Sequence, residues 1–163
     1  MTVVLPWRKN HWAQSNLYRN PFGELTQGQR VELAIVDVEP IVDLIAQPGN
    51  AVQFIGPCGR GKTTRMLKLS SRLRAASYTY LPQAEPCPPI PAGRPVLIDE
   101  AQRLPRRVRH ALFSTGLPLV LSTHRDLARP LRRYGYSVHT ERIGNENTPE
   151  LLCRVLNRRI ESS

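Results

Sequence analysis

Residues 56–63 read Gly-Pro-Cys-Gly-Arg-Gly-Lys-Thr, a G-x-x-x-x-G-K-[ST] spacing that, unless it is a chance glycine-rich turn, calls for a strand, a tight loop and a helix in that order. Both flanks fit. Ala51–Ile55 (AVQFI) is short, apolar and β-leaning, and Thr63–Leu73 carries Met66, Leu67, Leu69 and Leu73 at the spacing of a buried helix face. Glycine lets the backbone approach a phosphate chain closely, and the first turn of the following helix offers unpaired N–H donors and a partial positive charge. In such a nucleotide-binding P-loop Lys62 would meet the β- and γ-phosphate oxygens. Thr63 would ligate Mg²⁺, which takes most of its other ligands from water and phosphate. The expected nucleotide-binding set is Gly56, Pro57, Cys58, Gly59, Arg60, Gly61, Lys62, Thr63 and Thr64, with Cys58 filling a variable position.

A second acidic motif follows about 40 residues downstream, where the apolar run Val96-Leu97-Ile98 ends in Asp99-Glu100. A strand that runs out into two acids is costly unless both point into a site. Ligands of parallel α/β sheets bind at the carboxyl edge, which would bring this pair beside the loop after Ile55. Asp99 would then bind Mg²⁺ or its water, and Glu100 would polarise the water that attacks the γ-phosphate.

The rest of the chain alternates between strands and helices. Thr26 and Gln29 form a capping box for a helix over Gln27–Leu33. Ala34–Val38 is β-branched enough for a strand or an edge segment, and Glu39–Ala46 reads as a helix with Pro40 in its first turn. Ser77–Leu81 is a second strand of the sheet, and six prolines between Pro82 and Pro95 exclude a helix there and call for an extended crossover. Strands over Pro95–Asp99, Pro118–Ser122 and Tyr136–Arg142 enclose helices over Arg103–Phe113 and Asp126–Tyr134. Thr148, Pro149 and Glu150 open a last helix through Ile160. This pattern predicts an α/β fold with a mainly parallel sheet. We expect an N-terminal arm over residues 1–25, a nucleotide-binding core over 26–145, and a C-terminal helix over 146–163 packed on that core.

The 163 residues suit one compact domain and are too few for an ATPase core with a full helical lid. No apolar run reaches membrane-spanning length and the first ten residues lack a signal-peptide core, so a cytoplasmic protein is expected. Cys58, Cys87 and Cys153 are odd in number and widely spaced, which suggests neither a disulfide framework nor a zinc site. The net charge of +10 comes from 20 arginines, eight of them between Arg103 and Arg133 against the single acid Asp126 within that stretch. Such a face suits a nucleic-acid backbone, an acidic protein surface, or plain solvation.

The segments GPCGRGKTT, VLIDEAQRLP and LVLSTHRDL together resemble the Walker A, Walker B and sensor 1 segments of the AAA+ ATPases, closest to the bacterial ExeA and TniB type. Asn20-Pro21-Phe22-Gly23 is similar to the segment that packs near adenine in that branch. The resemblance implies a three-layer P-loop NTPase fold with strand order 5-1-4-3-2, ATP and Mg²⁺ as cofactors, and ADP as product. It also implies a sensor group at the end of the fourth strand, where Thr123 is preferred to His124 and Ser122 lies behind them. The chain departs from the family in having only about 20 residues after Arg142, so the lid is absent or reduced to one helix, and in its proline crossover. Arg132 and Arg133 lie where an arginine finger occurs, and a second copy or a partner ATPase is the other source. Without one, turnover would be slower by roughly three to five powers of ten. Two other functions remain open: a small P-loop kinase, and a nucleotide-binding adaptor with little hydrolysis.

Overall fold

The computed structural model describes residues 23–144 and 148–161. The expected arm, including the Asn20–Phe22 segment, lies outside them up to residue 22. The chain divides into two compact units, Met1–Leu33 with Asn147–Ser163, and Ala34–Glu146.

The first unit contains helices α1 (Gln27–Glu32) and α6 (Pro149–Glu161). The capping box forms as expected, with Gln29 N donating to Thr26 Oγ1 at 3.3 Å and Thr26 N donating to Gln29 Oε1 at 2.9 Å. Thr148 starts α6 by accepting from Leu151 N at 3.3 Å, and Arg159 donates to the Gly23 carbonyl at 2.7 Å.

The second unit is built on a five-stranded, all-parallel sheet of β1 (Asn50–Ile55), β2 (Ser77–Tyr80), β3 (Val96–Asp99), β4 (Leu119–Thr123) and β5 (Ser137–Arg142). Their spatial order is β2-β3-β4-β1-β5, the expected 5-1-4-3-2 read from the other edge. Parallel strands need long crossovers, and helices α2 (Glu39–Ile45), α3 (Lys62–Arg72), α4 (Arg106–Phe113) and α5 (Ala128–Arg133) supply the covering layers. Alternation along each strand divides the core in two. Val52, Phe54, Leu97 and Val120 pack with Ile41 and Ile45 of α2 and Met66 and Leu69 of α3. Ala51, Ile98, Leu119 and Leu121 pack with Leu112 and Phe113 of α4 and Leu131 of α5.

Ala34–Val38 is not a strand. The segment is irregular as it runs into α2, and Val36 and Val38 contribute to the core under α2 and α3. Its β-branched composition reflects burial rather than sheet pairing. The proline crossover is extended as expected and returns along the start of β2, where Arg94 N donates to the Ala75 carbonyl at 2.7 Å. Gly93 lies so close to β2 that a Cβ there would collide with the Ser77 backbone nitrogen. Among the described residues, no helix is long and apolar enough to cross a membrane.

Candidate functional site

The glycine loop leaves the carboxyl edge of β1 between two neighbours. Gly56 N donates to the Thr123 carbonyl of β4 at 3.3 Å, and Ile143 N, just past β5, donates to the Ile55 carbonyl at 2.7 Å. A side chain on Gly56 would run into the Ile143 carbonyl, so glycine there is a steric requirement. Gly61 caps α3 with φ 84°, a left-handed backbone that L side chains rarely adopt, and delivers the chain into the first helical turn. Lys62 is buried, and its ammonium donates to the loop's own carbonyls, Gly56 at 2.7 Å and Pro57 at 2.8 Å. Thr63 and Thr64 are partly buried at the start of α3, while Pro57, Cys58 and Gly59 are exposed at the loop tip and Arg60 is half-buried.

Asp99 ends β3 with no exposed surface. Its Oδ1 accepts from the Ser122 hydroxyl in a short bond and from Glu100 N at 3.1 Å, while Oδ2 accepts from the Tyr78 hydroxyl at 3.1 Å. Alternation puts Asp99 with Leu97 and Ser122 with Val120, on the face covered by α2 and α3. The sheet thereby turns this carboxylate towards the layer that the glycine loop enters. Among the described residues its hydrogen-bond donors are all neutral. With a single donor on Oδ2, this carboxyl keeps acceptor capacity that would suit a cation.

Glu100 is one of two non-glycine residues described with positive φ, at φ 62° and ψ 40°. A left-handed backbone at a long side chain is a cost that surrounding structure must hold in place, and such positions cluster at functional sites. Three side chains fix the carboxylate. Gln102 donates to Oε2 at 2.7 Å, Arg103 pairs with Oε2 at 3.1 Å, and His124 Nε2 stands 3.4 Å from Oε1. Gln102 and Arg103 lie on the single 3-10 turn Ala101–Arg103 that follows β3. Gln102 also accepts from His124 N at 3.2 Å, and Arg103 donates to the Leu81 carbonyl at 2.7 Å, so one turn ties Glu100 to β4 and to the end of β2.

The structure treats the two sensor candidates differently. Thr123 falls on the α4/α5 face with Leu119 and Leu121, and its hydroxyl is engaged with its own turn, donating to the Arg125 carbonyl at 2.8 Å and accepting from Arg125 N at 3.0 Å. His124 reaches the site instead, with Nε2 3.7 Å from Cys58 Sγ in the glycine loop and 3.4 Å from Glu100. Cys58, Glu100 and His124 are therefore brought together, while the Thr123 side chain turns away. The sequence signal for this was the alternation Val120, Ser122 against Leu121, Thr123, which assigns successive residues to opposite faces.

Sequence reasoning missed the groups that hold the site. Gln53, fully buried in β1, donates to Asp126 Oδ1 and Thr140 Oγ1, both at 2.8 Å, and accepts from Leu127 N at 2.9 Å. This fastens the segment after His124 to the strand that launches the glycine loop. Hydrogen bonds from Ala128 N and Gln53 hold the Asp126 carboxyl below its ordinary value, helped by Arg142 at 3.6 Å. Of the eight clustered arginines, Arg103 is committed to Glu100, whereas Arg106, Arg107, Arg125, Arg129, Arg132 and Arg133 are exposed. Among the described residues no group of three or more His, Cys, Asp or Glu side chains is arranged to hold a metal by itself. A site for Mg²⁺ that keeps one or two protein ligands has no need of such a group. In comparison with known proteins, no protein-family model matches this chain, and no curated protein matches it.

Proposed function

We propose that this chain is a Mg²⁺-dependent ATPase of the AAA+ kind that depends on a partner for full activity. The observation that carries the reading is the end of β3. A fully buried carboxylate bonded by neutral donors is followed by a glutamate held in a left-handed backbone, at the sheet edge that also bears the glycine loop. Backbone N–H groups of residues 56–64 would cradle the phosphates, with Lys62 on the β- and γ-oxygens. Thr63 and Asp99 would hold Mg²⁺, whose contribution is to offset charge developing on the phosphate oxygens.

Gln102 and Arg103 both engage Oε2 of Glu100, and Oε1, which faces His124 at 3.4 Å, would be the atom that accepts a proton from the attacking water. His124, between Oε1 and the loop, is in position to contact that water or the γ-phosphate. An arginine finger would come from Arg132 or Arg133 of a second copy, or from a partner ATPase. ATP rather than GTP follows from the resemblance, and the chain carries no N-K-x-D guanine-reading motif.

The test is nucleotide binding and product analysis on purified protein. Lys62→Ala should lose ATP affinity, and Glu100→Gln should keep it while slowing release of inorganic phosphate by about 10²–10⁴-fold. Unchanged affinity in the lysine variant sinks the phosphate-loop assignment, and a phosphorylated acceptor in place of free phosphate identifies a kinase. A second reading, an adaptor that binds ATP and scarcely turns it over, is favoured by the three side chains already gathered on Glu100. A basal rate that Glu100→Gln leaves unchanged, with tight ATP binding, selects it.

A further inference from the structure

The proline crossover and α4 enclose an apolar groove of about 560 Å³, lined among others by Pro88, Ile90, Val108, Ala111, Leu112 and Leu117. Val108, Ala111, Leu112 and Thr115 come from one stripe of α4 and the residue turn beyond it, at the i, i+3, i+4, i+7 spacing of a single helix face. Ala111 is exposed and Val108 half-exposed, so this stripe is open where the crossover stands off the helix.

The stretch that supplies the lining carries exposed charges of one sign. Between Pro86 and Leu117 the chain has five arginines, at 94, 103, 106, 107 and 109, and two acids. Asp99 is buried and Glu100 is paired with Arg103, which leaves no free carboxylate in that stretch. Arg94 stands between the lining residues Ala92 and Val96, and Arg107 lies one helical turn before Ala111. Both arginines are exposed. An apolar trough with a cationic rim complements a chain that is apolar at its anchors and acidic between them.

The apolar lining also decides between the partners that the basic composition left open. A phosphate backbone would meet the rim arginines and gain nothing from Ile90, Val108 and Leu112, and seating it in the trough would strip its hydration without replacement. The crossover is not a free sheet edge, because its prolines lack N–H donors. A bound segment would therefore be read by its side chains rather than by added strand hydrogen bonds.

We propose that this groove docks an acidic, extended segment of a partner protein, with apolar side chains seated between the crossover and α4. The groove is coupled to the candidate site. Cys87 of the crossover lines both this groove and a neighbouring cavity of about 390 Å³, whose wall includes Arg103 and Leu81. Arg103 bonds the Leu81 carbonyl with one arm and Glu100 with the other, so an occupant that shifts the crossover shifts the guanidinium that orients Glu100. This coupling rests on the ATPase reading; the docking itself does not.

Fluorescence anisotropy on the full chain tests both parts. The probes are short fluorescein-labelled peptides alternating Leu or Phe with Asp or Glu, a matched set with Ser replacing Leu and Phe, a matched set with Lys replacing the acids, and a labelled DNA duplex. The acidic-apolar peptide should bind, and Ala111→Glu or the pair Arg94→Glu with Arg107→Glu should weaken it by about tenfold or more, with the thermal midpoint of each variant near that of the parent. Equal binding of the Ser set overturns the proposal, because the attraction is then charge alone. Binding indifferent to both variants overturns it too, as does duplex binding that Ala111→Glu abolishes while the acidic-apolar peptide fails to bind. If the peptide binds as expected but changes no phosphate release, the docking stands and the coupling to Glu100 fails.

Discussion

On the face covered by α2 and α3, Asp99 accepts from Ser122, Tyr78 and Glu100 N. On the opposite face Gln53 donates to Asp126 and Thr140 and accepts from Leu127 N. Both residues are fully buried polar groups on central strands of one sheet, yet they close differently. An amide has donors and an acceptor, and Gln53 uses both N–H bonds and its oxygen within the fold, so nothing remains to be satisfied. The Asp99 carboxyl has three donors, two on Oδ1 and one on Oδ2, and so keeps acceptor capacity the fold does not use. The first arrangement is a fastener; the second keeps acceptor capacity that, on the proposed reading, would go to a cation. Burial and hydrogen bonding alone do not separate them; the chemistry left over after the bonds are counted does.

The comparison makes its largest prediction at Asp99. Asp99→Ala should lower Mg²⁺-dependent phosphate release by about 10³-fold or more while the protein still folds, since metal stabilisation of transferred charge is worth several kcal/mol. If the variant unfolds instead with hydrolysis proportional to the folded fraction, Asp99 is a fastener like Gln53. Next comes the pair at the end of β4. His124→Ala should slow hydrolysis by about 10²-fold, as loss of a positioned donor does, whereas Thr123→Val should cost about 1 kcal/mol of stability through its lost bonds to Arg125 and leave the rate near that of the parent. The reverse order of rates would return the sensor role to Thr123.

Gln53→Ala should leave nucleotide affinity intact and destabilise by about 1–3 kcal/mol in urea titrations, because Leu127 N loses its acceptor in a buried position. The smallest effect belongs to Asp126, whose carboxyl is held below its ordinary value of 3.8 chiefly by the Ala128 N–H and then by Gln53. A depressed carboxyl contributes stability that is present above that ordinary value and is lost as pH falls through the depressed one. Thermal midpoints should therefore drop in the acid range, and Asp126→Asn should flatten that drop. An unchanged acid profile removes Asp126 from the account.

How much of this was legible beforehand divides along the same line. The strands, their order, the glycine loop, the proline crossover and the Asp99-Glu100 terminus followed from local pattern and resemblance, because turn chemistry and apolar alternation are written in neighbouring residues. Ala34–Val38 misled because β-branched residues serve burial as readily as pairing. The holding groups were illegible for a different reason. Gln53 and Asp126 are separated by 73 residues and Tyr78 and Asp99 by 21, so their meaning arises only when the sheet brings them together. Arg103 looked like one more member of a basic stretch, and only its two bonds, to Leu81 and Glu100, set it apart from Arg106 and Arg107.

The left-handed backbone at Glu100 has a consequence for any search for hardier versions of this protein. Glycine or asparagine would occupy that conformation more comfortably than glutamate, which gives up roughly 1–2 kcal/mol there. A screen that rewards heat resistance alone would therefore favour Glu100→Gly and Glu100→Asn, and would discard the proposed proton acceptor each time. Selection for endurance and selection for turnover pull this one position in opposite directions, so the tolerance of residue 100 to replacement is itself a readout of which of the two a population has experienced.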